Sequence, residues 1–342
     1  MKCVFKDILE IKNGKNQKNV ENSKGVYPIY GSGGIMGYAE DYICPSCTVI
    51  IGRKGNINSP IYVEEPFWNV DTAFGLIANR KYLVAKYLFY FCKKFDFEKL
   101  NRAVTIPSLT KSDLLEIKID LPDKSLQQLI VSRLNTVERV IELRQRELSQ
   151  IDNLIKARFV ELFGDVVLND KHWETQEFSK VTDSRLGKML DAKRQTGQSS
   201  FPYLANANVQ WFRFEVDCLN EMDFNEAEQK EFALEEGDLL VCEGGEIGRC
   251  AIWHNQVQPC FFQKALHRVR CKQGIILPDY LAWWFKFNCE NNGFTAIEGA
   301  KATIAHLPGA KLKKLRVVIP PLSLQNQFAD FVTQVDKSKV VA

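Results

Sequence analysis

Between Ser125 and Phe163 apolar residues recur with the period of a helix. Leu134, Ile141, Leu148, Ile155 and Leu162 follow one another every seven residues, and Ile130, Val137, Arg144, Ile151 and Arg158 fall between them at the 3/4 spacing of a coiled-coil seam. Ser125 with Gln128 predicts a capping box at the start, and Gly164 predicts the stop. Such a helix is roughly 58 Å long, more than one compact domain covers. The seam residues are therefore expected to be buried against another helix. Arg144 and Arg158 belong at the seam edge, because a lone buried arginine is costly.

Before this helix the pattern changes to short strands. Thr48-Val49-Ile50-Ile51 reads as a buried strand ending in the turn Gly52-Arg53-Lys54-Gly55, Tyr82 to Phe95 as an aromatic-rich helix, and Ile117-Lys118-Ile119-Asp120-Leu121 as an alternating strand. After Gly164 the same order begins again. Phe178 and Gly187-Lys188 match Phe5 and Gly14-Lys15. Phe201-Pro202-Tyr203 matches Tyr27-Pro28-Ile29, and Asp238-Leu239-Leu240-Val241 matches Thr48 to Ile51. Tyr280-Leu281 matches Tyr87-Leu88. Thr303-Ile304 matches Thr105-Ile106 and opens a gap-free stretch. Along it Leu307 matches Leu109, Pro320 matches Pro122, and Ser323-Leu324-Gln325 matches Ser125-Leu126-Gln127. The offset only grows along the chain, as loop insertions in one copy would make it. A second helix starts at the cap signal Ser323, carries Phe328, Phe331 and Val335, and is about half as long as the first.

The fold class predicted is α+β: two repeated mixed α/β units separated by long helices packed as an antiparallel coiled coil, the second helix short. The boundaries are residues 1–122, 123–164, 165–320 and 321–342. A length of 342 residues suits two domains, and 45% hydrophobic content suits real cores. A net charge of +3 permits a nucleic-acid partner only if basic character is local. No apolar run is long enough to span a membrane. Ten irregularly spaced cysteines and a polar start without an apolar signal core predict reduced thiols in the cytoplasm.

No catalytic constellation emerges. Cys44-Pro45-Ser46-Cys47 has no second ligand pair for zinc and is followed by a strand, unlike a redox motif. Gly244-Gly245-Glu246-Ile247-Gly248 lacks the Lys-Ser/Thr of a phosphate loop and reads as a strand-to-strand turn. His172, His254, His267 and His306 are scattered. Neither a metal nor another cofactor is expected.

What recurs is a basic, amide-rich loop near the start of each unit. It comprises Lys12, Asn13, Lys15, Asn16, Gln17, Lys18 and Asn19 in the first, and Arg185, Lys188, Lys193, Arg194, Gln195 and Gln198 in the second. Two readings fit. The loops are solvated surface, or their cations contact phosphates and their amides grip adenine.

These features resemble the specificity subunit of type I restriction–modification systems. The resemblance covers nearly the whole chain and rests on Tyr27-Pro28-Ile29-Tyr30-Gly31-Ser32-Gly33-Gly34, Ile51 to Gly55, and Pro122 with Leu126-Gln127-Gln128. In the second unit it rests on Asp238 to Val241, Gly245, Ile247-Gly248, and Ile319-Pro320-Pro321-Leu322-Ser323-Leu324-Gln325. It implies a non-catalytic subunit whose two target-recognition domains read a bipartite site in double-stranded DNA. It also implies two antiparallel helices and recruitment of methylation and restriction subunits. The short second helix departs from the family and leaves part of the seam for another surface, a second copy of the chain included. The candidate DNA-contacting residues are Lys12, Lys15, Lys18, Ser32, Arg53 and Lys54 in the first unit, and Arg185, Lys188, Arg194 and Arg249 in the second. The rival reading is a coiled-coil scaffold whose globular units bind proteins.

Overall fold

The computed structural model describes residues 2–103, 105–191, 195–295 and 306–341. Thr303-Ile304, which opens the gap-free part of the repeat, lies outside them. The chain forms two compact units, Met1–Leu143 and Arg144–Ala342, so the division falls inside the long helix. No helix among the described residues is long and apolar enough to cross a membrane.

Unit 1 opens with β1 (Lys2–Val4), the helical turn α1 (Phe5–Ile8) and β2 (Leu9–Asn13), followed by β3 (Tyr27–Gly31) and β4 (Gly34–Ala39). After these come β5 (Thr48–Gly52), β6 (Ile61–Val63), β7 (Trp68–Asn69), β8 (Ala73–Ala78), α2 (Ala85–Lys94), α3 (Lys111–Leu115) and β9 (Lys118–Asp120). The sheet orders are β2-β8-β5-β6, β4-β3-β7 and β1-β9. β5 is buried along its whole length because both faces are covered. Successive side chains alternate between faces. Val49 and Ile51 join Phe5, Leu76 and Leu88 in one core, and Ile50 joins Cys44, Val63 and Phe67 in another.

The long helix α4 covers Lys124–Phe163, and Gly164 closes it at φ +76°, as its position predicts. Its start differs from expectation. Asp123, not Ser125, is the cap: its Oδ1 accepts from the Leu126 amide at 2.9 Å.

Unit 2 repeats the plan with β10 (Glu174–Glu177), α5 (Phe178–Val181), β11 (Thr182–Leu186) and β12 (Ser200–Leu204). Then come β13 (Val209–Gln210), β14 (Arg213–Phe214), β15 (Asn220–Asp223), α6 (Glu226–Phe232), β16 (Leu239–Cys242) and β17 (Cys250–Ile252). β18 (Phe261–Phe262), β19 (Leu266–Cys271), α7 (Pro278–Glu290), α8 (Gly309–Lys313), β20 (Arg316–Ile319) and α9 (Leu322–Val341) complete it. The orders β11-β19-β16-β17, β15-β12-β18 and β10-β20 reproduce those of unit 1. Even the mixed pairing is kept: β3 runs parallel to β7 and β12 parallel to β18. The hairpin β13–β14 and helix α6 are additions that enlarge the sequence offset between β12 and β16. α9 starts at Leu322, with the Leu324 and Gln325 amides donating to the Pro321 carbonyl, so Ser323 lies inside the helix rather than capping it.

α9 and the end of α4 share one aromatic core. The Phe328 ring lies 5.5 Å from Phe163 and 5.4 Å from Phe159. Phe331 sits under Arg158, and Val332 and Asp336 line a small pocket with Ile155. Contacts retreat along α4 as they advance along α9, so the two helices run antiparallel. Ile155 and Leu162 are accordingly buried. The other three seam residues, Leu134, Ile141 and Leu148, are exposed by 36%, 51% and 44%, which is the remainder that the short second helix is expected to leave for another surface. Arg144 is exposed and paired with Glu147, and Arg158 is half-buried and paired with Glu161.

Candidate nucleic-acid interface

In unit 1 the candidate residues gather around the first residues of β8. On one side the Gly14 amide donates to the Ala73 carbonyl at 3.2 Å, and on the other the Arg53 amide donates to Thr72 at 2.8 Å. Gly14 has no room for a side chain, since a Cβ would stand 1.7 Å from the Val70 oxygen. That close approach lets the Lys15 amide donate to Asn69 while its carbonyl accepts from the Trp68 indole at 3.0 Å. The Lys18 amide closes a turn on Asn16 Oδ1. The loop is thus fixed through its backbone, and Lys12, Lys15 and Lys18 are exposed. Ser32, half-buried in the β3–β4 turn, lies against Gly52, and Arg53 and Lys54 follow it, exposed. The Arg53 guanidinium stands 5.7 Å from the Phe74 ring centre. Lys12 has Glu10 at 3.6 Å; among the described residues no carboxylate pairs with Lys15, Lys18, Arg53 or Lys54. Exposed unpaired cations on a backbone-fixed loop suit phosphate contact.

Unit 2 places the equivalent backbone identically. A Cβ on Gly187 would stand 2.3 Å from the Gln263 oxygen, and the Lys188 amide donates to Phe262. The contacts of the side chains differ. Lys188 Nζ donates to Glu228 Oε2 at 2.6 Å and to the Asp223 carbonyl at 2.5 Å, and its side chain is only 16% exposed. Arg185 pairs with Glu231. Both carboxylates come from α6, whose C-terminal carbonyls are held by the buried Arg268: Nη1 donates to Glu231 and Ala233 at 2.9 and 3.1 Å. Arg249 is half-buried beside the β16–β17 turn and donates to the Asn206 carbonyl at 3.1 Å. Arg194, with Lys193, lies outside the described residues. Lys188 and Arg249 are therefore each held by contacts within the unit, unlike the open lysines of unit 1.

Arg185 and Lys188 border a cleft of about 1050 Å³. Arg185, Lys188 and Lys313 face Asp191, Asp223, Glu228 and Glu231 there. Asp223 clamps the loop beside it, accepting from the Thr196 amide and hydroxyl and from the Gly197 and Ser199 amides. These donors, the Thr196 amide first, hold its carboxyl below the usual range. Sequence reading missed Asp223, Glu228 and Glu231. The capping box Asn225–Glu228 was a visible signal for α6, but its pairing with a lysine 40 residues upstream was not.

Two glutamines were also overlooked as structural parts, although both stood in the repeated sequence: Gln127 and Gln325 are fully buried. Among the described residues no group of three or more His, Cys, Asp or Glu is placed to hold a metal ion.

A duplicated α+β unit, each copy opening into a helix and presenting a loop beside the same sheet strand, defines a two-part recognition protein. The chain matches the type I restriction modification DNA specificity domain twice, over residues 3–153 and 170–340, and belongs to that family. It is a DNA specificity subunit of a type I restriction–modification system, and the family is non-catalytic. A putative type I restriction enzyme specificity subunit from Haemophilus influenzae is 24% identical over 96% of this chain and 86% of its own length. The EcoKI specificity subunit of Escherichia coli is 22% identical over 83% of this chain and 65% of its own. The fold is shared with the S subunit of M. genitalium, at a TM-score of 0.63 and 15% identity over 99% of this chain and 90% of that one.

Proposed function

We propose that each unit reads one half of a bipartite site in duplex DNA, and that α4 and α9 set the distance between the halves and carry the methylation subunits. Restriction subunits join through the assembled complex, which works on DNA in the cytoplasm. The recognition domains are residues 1–122 and 165–320. The observation that carries this reading is one loop position used twice with different contacts. Gly14-Lys15 and Gly187-Lys188 share their backbone fixing, yet one lysine is open and the other is tied to α6. Two readers on one frame with different contact surfaces are what an asymmetric site requires. The exposed apolar face at Leu134, Ile141 and Leu148 suits a docking partner, a methylation subunit first and a second copy of the chain otherwise.

Methylome sequencing of a host carrying this chain with its methylation subunit gives the site. Exchanging residues 1–122 for those of a related subunit should then change one half and leave the other intact. Change in both halves overturns independent reading. Partner binding that is indifferent to salt, without duplex binding, would favour a protein scaffold instead.

A further inference from the structure

The same buried clasp joins helix to domain in both units. Gln127, in the first turn of α4, accepts from the Val84 amide at 2.8 Å and donates through Nε2 to the Tyr82 and Pro122 carbonyls at 2.9 and 2.8 Å. Gln325, in the first turn of α9, accepts from the Leu277 amide at 2.9 Å and donates to the Ile275 and Pro320 carbonyls at 3.1 and 2.9 Å. Both side chains are 0% exposed. Val84 and Leu277 are the N-cap positions of α2 and α7, and neither has a side-chain cap bond of its own. A backbone N–H only donates and a carbonyl only accepts, so each amide has one possible orientation. Each glutamine thereby ties three points together: the strand-to-helix corner, the start of the domain helix and the loop preceding it. A first-turn residue fastened at three backbone points fixes the direction in which its helix leaves the domain.

We propose that Gln127 and Gln325 are positioning residues of a joint that sets helix direction, and so fixes the spacing and phase at which the two half-sites are read. This rests on the two-reader function above. A one-base-pair error displaces a half-site by about 3.4 Å and turns it by roughly a tenth of a turn, so a loosened joint should show first as lost spacing discrimination. Methionine fills about the same volume without any of the three bonds. Glutamate keeps the acceptor for the amide but sets a carboxylate oxygen against two carbonyls.

The test assembles full-length Gln127→Met, Gln127→Glu, Gln325→Met and wild-type chains with their methylation subunits. Methyl transfer is measured on duplexes with the native spacer and with one base pair added or removed. Binding is measured on duplexes holding a single half-site, and thermal midpoints are recorded alongside. The joint predicts that preference for the native spacer falls about tenfold, equivalent to about 1.4 kcal/mol, while single half-site binding stays within about threefold of wild type. Wild-type preference retained in all variants overturns it. So does loss of half-site binding in proportion to loss of spacing preference, or failure of every variant to assemble, since each assigns the glutamines to folding alone. A wild-type complex indifferent to spacing would instead overturn the two-reader function itself.

Discussion

The two units share a frame and differ in what they leave open. In unit 1 the loop cations Lys15, Lys18, Arg53 and Lys54 meet no carboxylate among the described residues. In unit 2 an inserted helix, α6, supplies Glu228 and Glu231 to Lys188 and Arg185. The helices differ in the same sense. In unit 1 the start of α4 is held to α2 by polar contacts, with the Tyr90 hydroxyl 2.7 Å from both Asn135 and Glu138 and Lys93 2.9 Å from Glu138. Its apolar residues Val137, Val140 and Ile141 stay exposed. In unit 2, Phe159, Phe163 and Phe328 close on Tyr280 and Trp283 as a continuous aromatic core. Backbone position is conserved between the repeats, and an insertion decides whether a cation at that position is available to a partner.

The sharpest contrast is in packing. Phe159→Ala should destabilise unit 2 by about 3–5 kcal/mol, because a fully buried ring leaves a cavity among four aromatic neighbours. Ile141→Ala and Leu148→Ala should change the isolated chain by no more than about 0.5 kcal/mol each. Denaturant unfolding of the chain without partners compares them. A loss of several kcal/mol at Ile141 would mean that the face is covered in solution.

The cations come next. Lys188→Ala removes a partly buried charge from two acceptors and should cost about 1–3 kcal/mol of stability, with little change in the salt dependence of DNA binding. Lys15→Ala should do the reverse, leaving stability within about 0.5 kcal/mol and lowering the salt slope by about one unit. Glu231→Gln should release Arg185 and raise the slope by up to about one unit. Equal slope changes for Lys15→Ala and Lys188→Ala would erase the distinction between the units.

The frame was legible in the sequence because it rests on period and order. Strand Thr48–Ile51 and its counterpart Asp238–Val241, the glycine stop at Gly164 and the two helix starts all announce themselves within a few residues. Gly14 and Gly187 could be matched, although only the structure shows the backbone approach that demands them. What sequence could not supply was pairing between distant segments. Lys188 looks like Lys15 until Glu228 is placed beside it. The five seam residues likewise look alike: the short second helix announced that only part of the seam would be covered, but not that the covered residues would be Ile155 and Leu162. The capping residue was misplaced for a related reason: Ser125 and Asp123 are both good caps, and the corner at Pro122 decides between them.

The smallest effect expected is a difference in pH response. All four histidines, His172, His254, His267 and His306, belong to unit 2. His267 on β19 is 1% exposed, with Nε2 3.2 Å from the Leu307 carbonyl. Burial lowers its pKa below the ordinary imidazole value; the Leu307 carbonyl and Glu243 pull the other way and do not outweigh it. A histidine whose folded pKa is depressed has no effect where both states are neutral. As pH falls through about 6.5, the unfolded chain takes up a proton that the folded chain refuses, so stability drops. Unit 1 has no such group. Its Glu138 carboxyl is held below the usual value, chiefly by the Tyr90 hydroxyl, and gives up that contribution only as pH falls through the depressed folded value. Between about pH 7.5 and 5.5, then, the amides of β16 and β19 in unit 2 should lose protection against hydrogen exchange while those of β5 and β8 in unit 1 hold theirs. Asp279, raised by burial, works in the opposite direction within unit 2, so His267→Gln is the control that isolates the histidine. With that substitution the pH-dependent loss in unit 2 should shrink. An equal loss in both units, or one unchanged by His267→Gln, would show that the histidine does not set the difference.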